Sequence, residues 1–285
     1  MKNILFKSLK LNSSRLWNGK KFNGKLLVFG EQGLGDLVLF SSMLKDLLII
    51  QKDITVTTEE RLLSLFKRSF NKITFISNKS KPDYKDFDKF IFLGSLGKFF
   101  RNSIKSFPNN PKPFLIPSKK TVNKINGYIG RTSLKKVGLS WQTSSKNNSK
   151  GRNISLKYFE PILKLNGYKF IDLQYGNTTL ERFKIKDNFN IDIFHIDDLD
   201  YKNDIEGLAA LISKCDLVIT IPNFTTQLAA ALGVPVFLLL PFSSDWRWFM
   251  NRSDSPWYPN VRLFKQKTLM DWGDVINEIH NKLKS

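Results

Sequence analysis

Apolar and polar residues alternate along the chain in short blocks that are typical of strands joined by helices. Residues 217–221 and 234–240 are apolar runs bounded by proline or glycine, which predicts two buried strands. Between them, the alanine-rich segment Phe224–Leu232 predicts a helix that Thr225 and Thr226 open and that Gly233 closes in a left-handed conformation. Strand, helix and strand in so few residues predict a right-handed βαβ unit.

The turn before this helix, residues 222–226, lies at the carboxyl end of the first strand. Open α/β sheets bind ligands at such ends, and a helix N-terminus there presents N–H groups and a positive dipole to phosphate. An ordinary strand-to-helix turn accounts for the same residues equally well.

The same alternation continues through the rest of the chain and predicts an α/β protein with parallel sheets. The proline-rich stretch 107–118 predicts a linker, so that residues 1–118 and 119–285 form two domains. The last helix, which we expect Asp271 to cap, is a candidate to pack back on the first domain. Polar residues 143–151 and acidic residues 197–204 are predicted loops. Further strands are expected at 25–29, 54–57, 73–76, 90–93, 137–141, 169–173 and 191–195, and helices at 37–48, 59–66, 119–130, 205–212 and from Ser155.

A glycine-rich turn, GEQGLGD at residues 30–36, follows the first predicted strand. It lacks the full dinucleotide fingerprint, because Val38 stands where that motif has a glycine, and it lacks the lysine of a P-loop. Its glycines let the backbone approach a ligand closely. Asp36 at the predicted helix start is either an N-cap or a carboxylate that faces a cleft, and the two roles are compatible.

Composition narrows the class of protein. The chain is 41% hydrophobic and 25% charged, which is typical of a globular protein. No apolar run is long enough for a signal peptide or a membrane span, and a single cysteine fits a reducing compartment, so a cytoplasmic location is expected. With only two histidines, no zinc site and no cofactor are expected.

The net charge of +20 is unevenly distributed. Residues 1–136 carry 27 Lys and Arg against 9 Asp and Glu, whereas residues 137–285 carry 18 against 16. An AT-rich genome raises the lysine content and would explain a chain that is basic throughout. It does not easily explain an asymmetry this large. The first half therefore indicates an anionic partner such as nucleic acid, acidic glycan or an anionic membrane face.

Two further features bear on a binding site. Arg152 precedes the helix predicted from Ser155, where it is either a phosphate ligand or a solvated surface arginine. Four of the six tryptophans lie between residues 246 and 272, where they either pin a loop over the sheet or form the wall of a ligand pocket.

Taken together, these motifs resemble those of a known family. The segments GEQGLGD, GLSWQ, GRNISLKYFEPIL, LAAALGVPVFLLLP, DWRW and DSPWYP occur in the order and spacing of the bacterial glycosyltransferase domain that is often attached to TPR repeats. That domain is similar to the heptosyltransferases of glycosyltransferase family 9. The resemblance covers roughly residues 15–283, and the chain contains no TPR repeat.

The resemblance implies a GT-B architecture, in which two Rossmann-like domains face each other across a cleft. It also implies inverting, metal-independent transfer of a sugar from a nucleoside-diphosphate sugar to a glycan or lipid-linked acceptor, for which lipopolysaccharide is an example. The amino-terminal domain would hold the acceptor and the carboxy-terminal domain the donor. Asp36 matches the general base, with Gln32, Gly33 and Gly35 beside it in the acceptor cleft. The implied donor-binding residues are Trp141, Gln142, Arg152, Asn223, Thr225, Thr226 and Gln227.

Two positions depart from the family pattern. The family commonly has aspartate where this chain has Pro222 and histidine where it has Gln227. Glutamine cannot carry a proton, and proline removes both a carboxylate and an N–H group. These departures leave open a non-catalytic protein of the same fold that binds a nucleotide sugar or a glycan. A nucleic-acid binder is disfavoured, because no basic-aromatic module is present.

Overall fold

The computed structural model describes residues 12–80, 82–109, 111–143 and 151–285. The predicted polar loop at 143–151 therefore falls largely outside the described residues, as do residues 1–11. Its contacts divide the chain into two compact units, Met1–Pro108 and Asn109–Ser285. The proline-rich stretch that follows Pro108 belongs to the second unit, where the backbone N–H groups of Phe114 and Leu115 donate to the carbonyl oxygen of Ala231 at 3.0 and 3.1 Å.

The first unit contains one parallel sheet of four strands in the order β3-β2-β1-β4. The order reverses between β1 and β4, so the first unit's topological switch point lies at the carboxyl ends of these two strands. The elements of this unit are β1 (Leu26–Phe29), α1 (Leu34–Ser41), α2 (Leu44–Ile50), β2 (Ile54–Thr58), α3 (Leu63–Ser69), β3 (Thr74–Ser77), β4 (Lys89–Phe92) and α4 (Gly97–Phe100).

The second unit contains one parallel sheet of five strands in the order β6-β5-β7-β8-β9. Here the order reverses between β5 and β7, which places the switch point at their carboxyl ends. The elements are α5 (Lys119–Ile129), β5 (Lys135–Ser140), α6 (Glu160–Leu163), β6 (Tyr168–Asp172), α7 (Thr179–Phe189), α8 (Ile205–Ile212), β7 (Leu217–Thr220), α9 (Phe224–Leu232), β8 (Val236–Leu240), β9 (Val261–Lys265) and α10 (Gly273–Lys284).

The βαβ unit β7-α9-β8 is confirmed, and the bounds of α9 are those predicted. Every strand-to-strand pairing in both sheets is parallel. Gly233 ends α9 in the left-handed region at φ +84°, and a Cβ atom there would lie 2.4 Å from Pro113 Cγ. The cap of α9 differs from the prediction. Asn223, and not a threonine, opens the helix, because its side-chain oxygen accepts from the Thr226 N–H at 3.2 Å.

Two predicted elements are corrected. The helix predicted at 37–48 is two helices, because Ser41 and Ser42 donate their hydroxyls to carbonyls three residues earlier and interrupt it. The strand predicted at 191–195 is a single bridge between Ile171 and Phe194.

Three of the four tryptophans between residues 246 and 272 lie in the core of the second unit. Trp248, Trp257 and Trp272 are buried, which fits the loop-pinning interpretation, whereas Trp246 is 60% exposed. Cys215 is also buried, with Sγ close to Gly138, and burial raises the pKa of its thiol to about 12. Among the described residues, no helix is long and apolar enough to cross a membrane.

Candidate functional site

A cluster of polar side chains occupies the switch point of the second sheet. Ser140 ends β5 and is followed by Trp141 and Gln142, while Asn223 follows β7 and opens α9. Gln174 follows the neighbouring strand β6. Because parallel strands end at the same edge, the fold brings together residues that are far apart in sequence.

Gln174 is the centre of this cluster. Its side chain is 2% exposed, and its Oε1 accepts from Ser140 Oγ at 3.1 Å, from the Trp141 N–H at 2.9 Å and from the Gln142 N–H at 2.8 Å. Its Nε2 donates to the Tyr175 carbonyl at 3.0 Å. One amide group therefore fixes the backbone that leaves β5.

Asn223 joins the ends of β5 and β7. Its Nδ2 donates to Ser140 Oγ at 2.8 Å and to the Gln142 carbonyl at 3.2 Å, while its Oδ1 caps α9. The side chain predicted to bind a donor thus holds the site in shape through its own amide.

The start of α9 lies at the same edge, because α9 follows β7. The first turn of any helix leaves N–H groups without an intrahelical acceptor, and the helix dipole makes this end positive. Thr226 donates its hydroxyl to the Ile221 carbonyl at 2.6 Å, and Gln227 accepts from the Tyr258 hydroxyl at 2.8 Å. Thr225 is fully buried and its Oγ1 has no hydrogen-bond partner in the part of the chain that the structure describes.

A carboxylate that the sequence reasoning missed lies beside Trp141 and Gln142. Both oxygens of Glu181, in the first turn of α7, accept from Trp141 Nε1 at 3.2 Å and from Gln142 Nε2 at 3.2 and 3.3 Å. Trp141 itself is fully buried, so it orients Glu181 instead of presenting a ring face to solvent. Helix α7 has no apolar pattern in the sequence that would predict it, because only Ile185 is buried along it.

Asp172 is a second carboxylate that the sequence reasoning missed, and it binds the backbone of Gln174. Asp172, at the end of β6, is fully buried and its Oδ1 accepts from the Gln174 N–H at 2.8 Å. Its Oδ2 accepts from Thr178 Oγ1 at 2.6 Å and lies 3.0 Å from His195 Nδ1 and 3.3 Å from Arg182 Nε. A buried carboxylate surrounded by these partners holds the β6 turn rigidly.

Arg152 lies close to a carboxylate. Its Nη2 is 3.5 Å from Asp245 Oδ2, and Asp245 also binds Arg247 through both oxygens at 2.7 and 2.8 Å. The Ile154 N–H donates to the Trp141 carbonyl at 3.1 Å, which keeps the stretch containing Arg152 beside the end of β5. Arg152 is therefore part of an ion-pair cluster at the site.

In the first unit, the glycine-rich turn lies at the carboxyl end of β1, beside β4. A Cβ on Gly30 would lie 2.2 Å from the Thr57 carbonyl oxygen, so this glycine serves packing within the protein. Gly33 has open space around it and is exposed, as is Gln32.

The structure excludes one of the two roles open to Asp36, that of N-cap of the helix. Gly33 is the N-cap of α1, so Gly35 and Asp36 are the second and third helical residues. The helix begins earlier because the backbone at Gly33 is extended and becomes helical at Leu34. Asp36 is half-buried in the first turn, where the dipole favours a carboxylate.

Among the described residues, no three His, Cys, Asp or Glu side chains are grouped closely enough to hold a metal ion. No family model matches the chain. Protein FlbA of Caulobacter vibrioides is 31% identical over 287 residues. This alignment covers 94% of the chain but 48% of the relative, so the chain spans about half the length of the curated relative it matches.

Solved structures define the class of fold. The family 9 glycosyltransferase of Veillonella parvula matches 92% of this chain and 93% of its own with a TM-score of 0.63 at 12% identity. ADP-heptose lipopolysaccharide heptosyltransferase II of E. coli matches 92% and 100% with a TM-score of 0.63 at 14% identity. E. coli heptosyltransferase WaaC, solved with ADP-2-deoxy-2-fluoro heptose, matches 91% and 98% with a TM-score of 0.52 at 11% identity. These likenesses confirm the predicted α/β GT-B fold class and, at the level of fold, the resemblance to heptosyltransferases.

Proposed function

We propose that the protein is an inverting, metal-independent glycosyltransferase that moves a sugar from a nucleoside-diphosphate sugar to a glycan or lipid-linked acceptor. The observation that carries this proposal is the polar cluster at the switch point of the second sheet, beneath the N-terminus of α9. Rigid polar groups at such an edge, next to a positive helix end, fit a nucleotide diphosphate. The likeness to glycosyltransferases that bind nucleotide sugars supports the same ligand class.

The donor is held by groups of the second unit. The amides at the start of α9 and the guanidinium of Arg152 bind the diphosphate. Glu181, whose carboxylate is oriented by Trp141 and Gln142, accepts hydrogen bonds from the ribose hydroxyls, as acidic residues of nucleotide-binding α/β folds do. Asn223 and Gln174 act indirectly, because their hydrogen bonds to the Gln142 backbone fix the chain where it leaves β5.

Asp36 supplies the chemistry. The acceptor oxygen attacks the anomeric carbon as its proton passes to the Asp36 carboxylate. The bond to the diphosphate breaks with its electron pair on the departing oxygen, and direct displacement inverts the anomeric configuration. General-base assistance of this kind is typically worth about 10²–10⁴-fold in rate.

The acceptor we propose is anionic, with lipopolysaccharide as an example, because of the basic charge of residues 1–136. We place the protein in the cytoplasm, with peripheral contact at the inner membrane face through the same charge. Nucleic acid is not the proposed partner.

Three measurements test the donor part of the proposal. A screen of nucleoside-diphosphate sugars for thermal stabilisation identifies the donor, because a ligand that binds only the folded state raises the melting temperature. Arg152→Ala should then weaken that donor by about 10–100-fold, as expected for the loss of a charge-assisted hydrogen bond. Chelating divalent ions should leave donor binding intact.

The Asp36→Asn variant tests the catalytic step. It should leave donor affinity unchanged, lower stability by no more than about 1 kcal/mol, and reduce transfer by about 10²–10⁴-fold. Asp53→Asn, an exposed aspartate of the same unit, is the matched control and should transfer normally. Normal transfer by Asp36→Asn would show that the base lies elsewhere.

One observation favours a second candidate, a nucleotide-sugar or glycan-binding protein without activity. The side chain at 227 is a glutamine that is already bonded to the Tyr258 hydroxyl, and Pro222 supplies neither a carboxylate nor an N–H group. Donor binding by the wild type without transfer to any acceptor would support this candidate.

A further inference from the structure

Two arginines of the second unit share the carboxylate of Asp245. Arg247 donates to it through Nη1 at 2.7 and 2.8 Å and through its backbone N–H at 3.1 Å, and Arg152 Nη2 lies 3.5 Å from Oδ2. The three side chains are between 18% and 20% exposed, so solvent screens them only in part.

The cluster links two loops of the candidate site. Arg152 is held beside the end of β5 by the Ile154–Trp141 hydrogen bond, and Asp245 lies in the loop after β8. In the sheet order, β7 lies between β5 and β8, and α9 begins where β7 ends. Strands spaced about 4.8 Å apart put β5 and β8 about 10 Å apart, which an arginine paired with an aspartate can span. The Arg152–Asp245 pair thus connects loops on either side of the start of α9.

The start of α9 adds a further observation. Thr225, the second residue of the nine-residue helix α9, has a fully buried hydroxyl with no partner among the described residues. Buried hydroxyls in folded proteins nearly always have a hydrogen-bond partner, so an unbonded one indicates a water or ion that completes it. The helix amides at the start of α9 and the two guanidinium groups both suit an anion with several oxygens.

An ordinary surface ion pair looks different in this chain. Arg252 and Asp254 form the same two-residue bidentate pair at 2.8 and 2.7 Å, but their side chains are 36% and 62% exposed. Exposed pairs of that kind contribute little to stability and recruit no second cation. This pair gives a matched reference for the Asp245 cluster.

We propose that Arg247 is a second cation for the donor diphosphate, and that Asp245 occupies both arginines until the diphosphate replaces it. Planar guanidinium groups bind phosphate oxygens in pairs. A diphosphate therefore provides each arginine with acceptor oxygens in place of those of the Asp245 carboxylate. The inference rests on the proposed function and adds a residue and a competing carboxylate to its donor site.

Inorganic pyrophosphate, the part common to all nucleoside-diphosphate donors, is the probe. Its dissociation constant is measured by calorimetry on the full chain at low salt with a chelator present. Arg247→Gln should weaken binding by about 10–100-fold, Arg247→Lys should recover part of that loss, and Arg252→Gln should change nothing. Asp245→Asn should tighten binding, because it removes a negative charge that competes with the phosphate.

The results separate the role of Arg247 from the competition by Asp245 and from the proposed function. Unchanged affinity in Arg247→Gln, together with a loss in Arg152→Ala, would overturn the role of Arg247 and leave the proposed function standing. Weaker binding by Asp245→Asn would overturn the competition, because Asp245 would then only orient the arginines. No pyrophosphate binding by the wild type, despite stabilisation by a nucleotide sugar, would place the diphosphate away from this cluster and overturn the inference alone. Failure of every nucleotide sugar as well would overturn both proposals. Far-UV circular dichroism confirms that each variant is folded.

Discussion

Removing the Gln174 amide should destabilise the second unit more than removing any other buried glutamine amide there. In Gln174→Met the apolar side chain keeps a similar volume, but two backbone N–H groups and the Ser140 hydroxyl lose their shared acceptor. A buried donor left without a partner costs about 1–3 kcal/mol. With the lower end of that range for each of three donors, the free energy of unfolding should fall by about 3 kcal/mol.

Gln266→Met is the matched control. Gln266 is 3% exposed and belongs to the same unit, but its Oε1 accepts one bond, from the Phe242 N–H at 3.0 Å. Its loss should therefore be about 1 kcal/mol, one third of that at Gln174.

Urea unfolding followed by tryptophan fluorescence measures these differences. Five of the six tryptophans lie in the second unit, so the signal reports mainly on that unit. The midpoint should shift at constant slope, since the surface exposed on unfolding is nearly unchanged. Equal losses in Gln174→Met and Gln266→Met would refute the reasoning, because the count of accepted bonds would then not decide the stability.

Three further predictions concern other parts of the chain. Gly233→Ala should destabilise the protein by more than about 1 kcal/mol in urea unfolding, because φ is +84° and Pro113 leaves no space for a Cβ atom. Gly127 lies inside α5 with open space around it, so Gly127→Ala should stabilise the protein by roughly 0.5–1 kcal/mol. The protein should sediment with anionic but not neutral vesicles, and added salt or replacement of the three lysines of α5 by glutamate should weaken this; salt-independent binding would contradict the electrostatic explanation. Cys215 keeps its proton to about pH 12 in the folded protein but loses it near its ordinary pKa of 9.0 in the unfolded chain. Above pH 9 this group should therefore lower the free energy of unfolding by up to about 1.4 kcal/mol per pH unit. Cys215→Ala should show a shallower decline of stability with pH.

The parts of the fold that the sequence predicts are those where burial produces a regular pattern. Strands β7 and β8 and helix α9 are buried along almost their whole length, so their apolar runs and Gly233 mark them clearly. Helix α7 buries a single residue and carries no such pattern. The short strand β9 was missed for a different reason, because its charged and apolar residues lie in an aromatic-rich tail that suggested a loop.

The candidate site was predicted in part. The turn before α9 is visible in sequence because a strand, a polar turn and a helix follow each other locally, although its cap, Asn223, was not predicted. Glu181, Asp172 and Gln174 are not visible, because each acts through partners on other strands that only the sheet order brings close. Asp36 lies inside the helix and not at its cap, because the helix begins at Leu34, three residues before the predicted start at residue 37.

The burial of Cys215 has a practical consequence for following this protein in solution. It is the only cysteine in the chain, and a protonated thiol shielded from solvent reacts slowly with maleimides near neutral pH. A cysteine introduced on any exposed surface would therefore take up a fluorophore or spin label selectively, with no need to remove the native one. Pairs of such labels, one in each unit, would report distances between the two sheets with and without a nucleotide sugar.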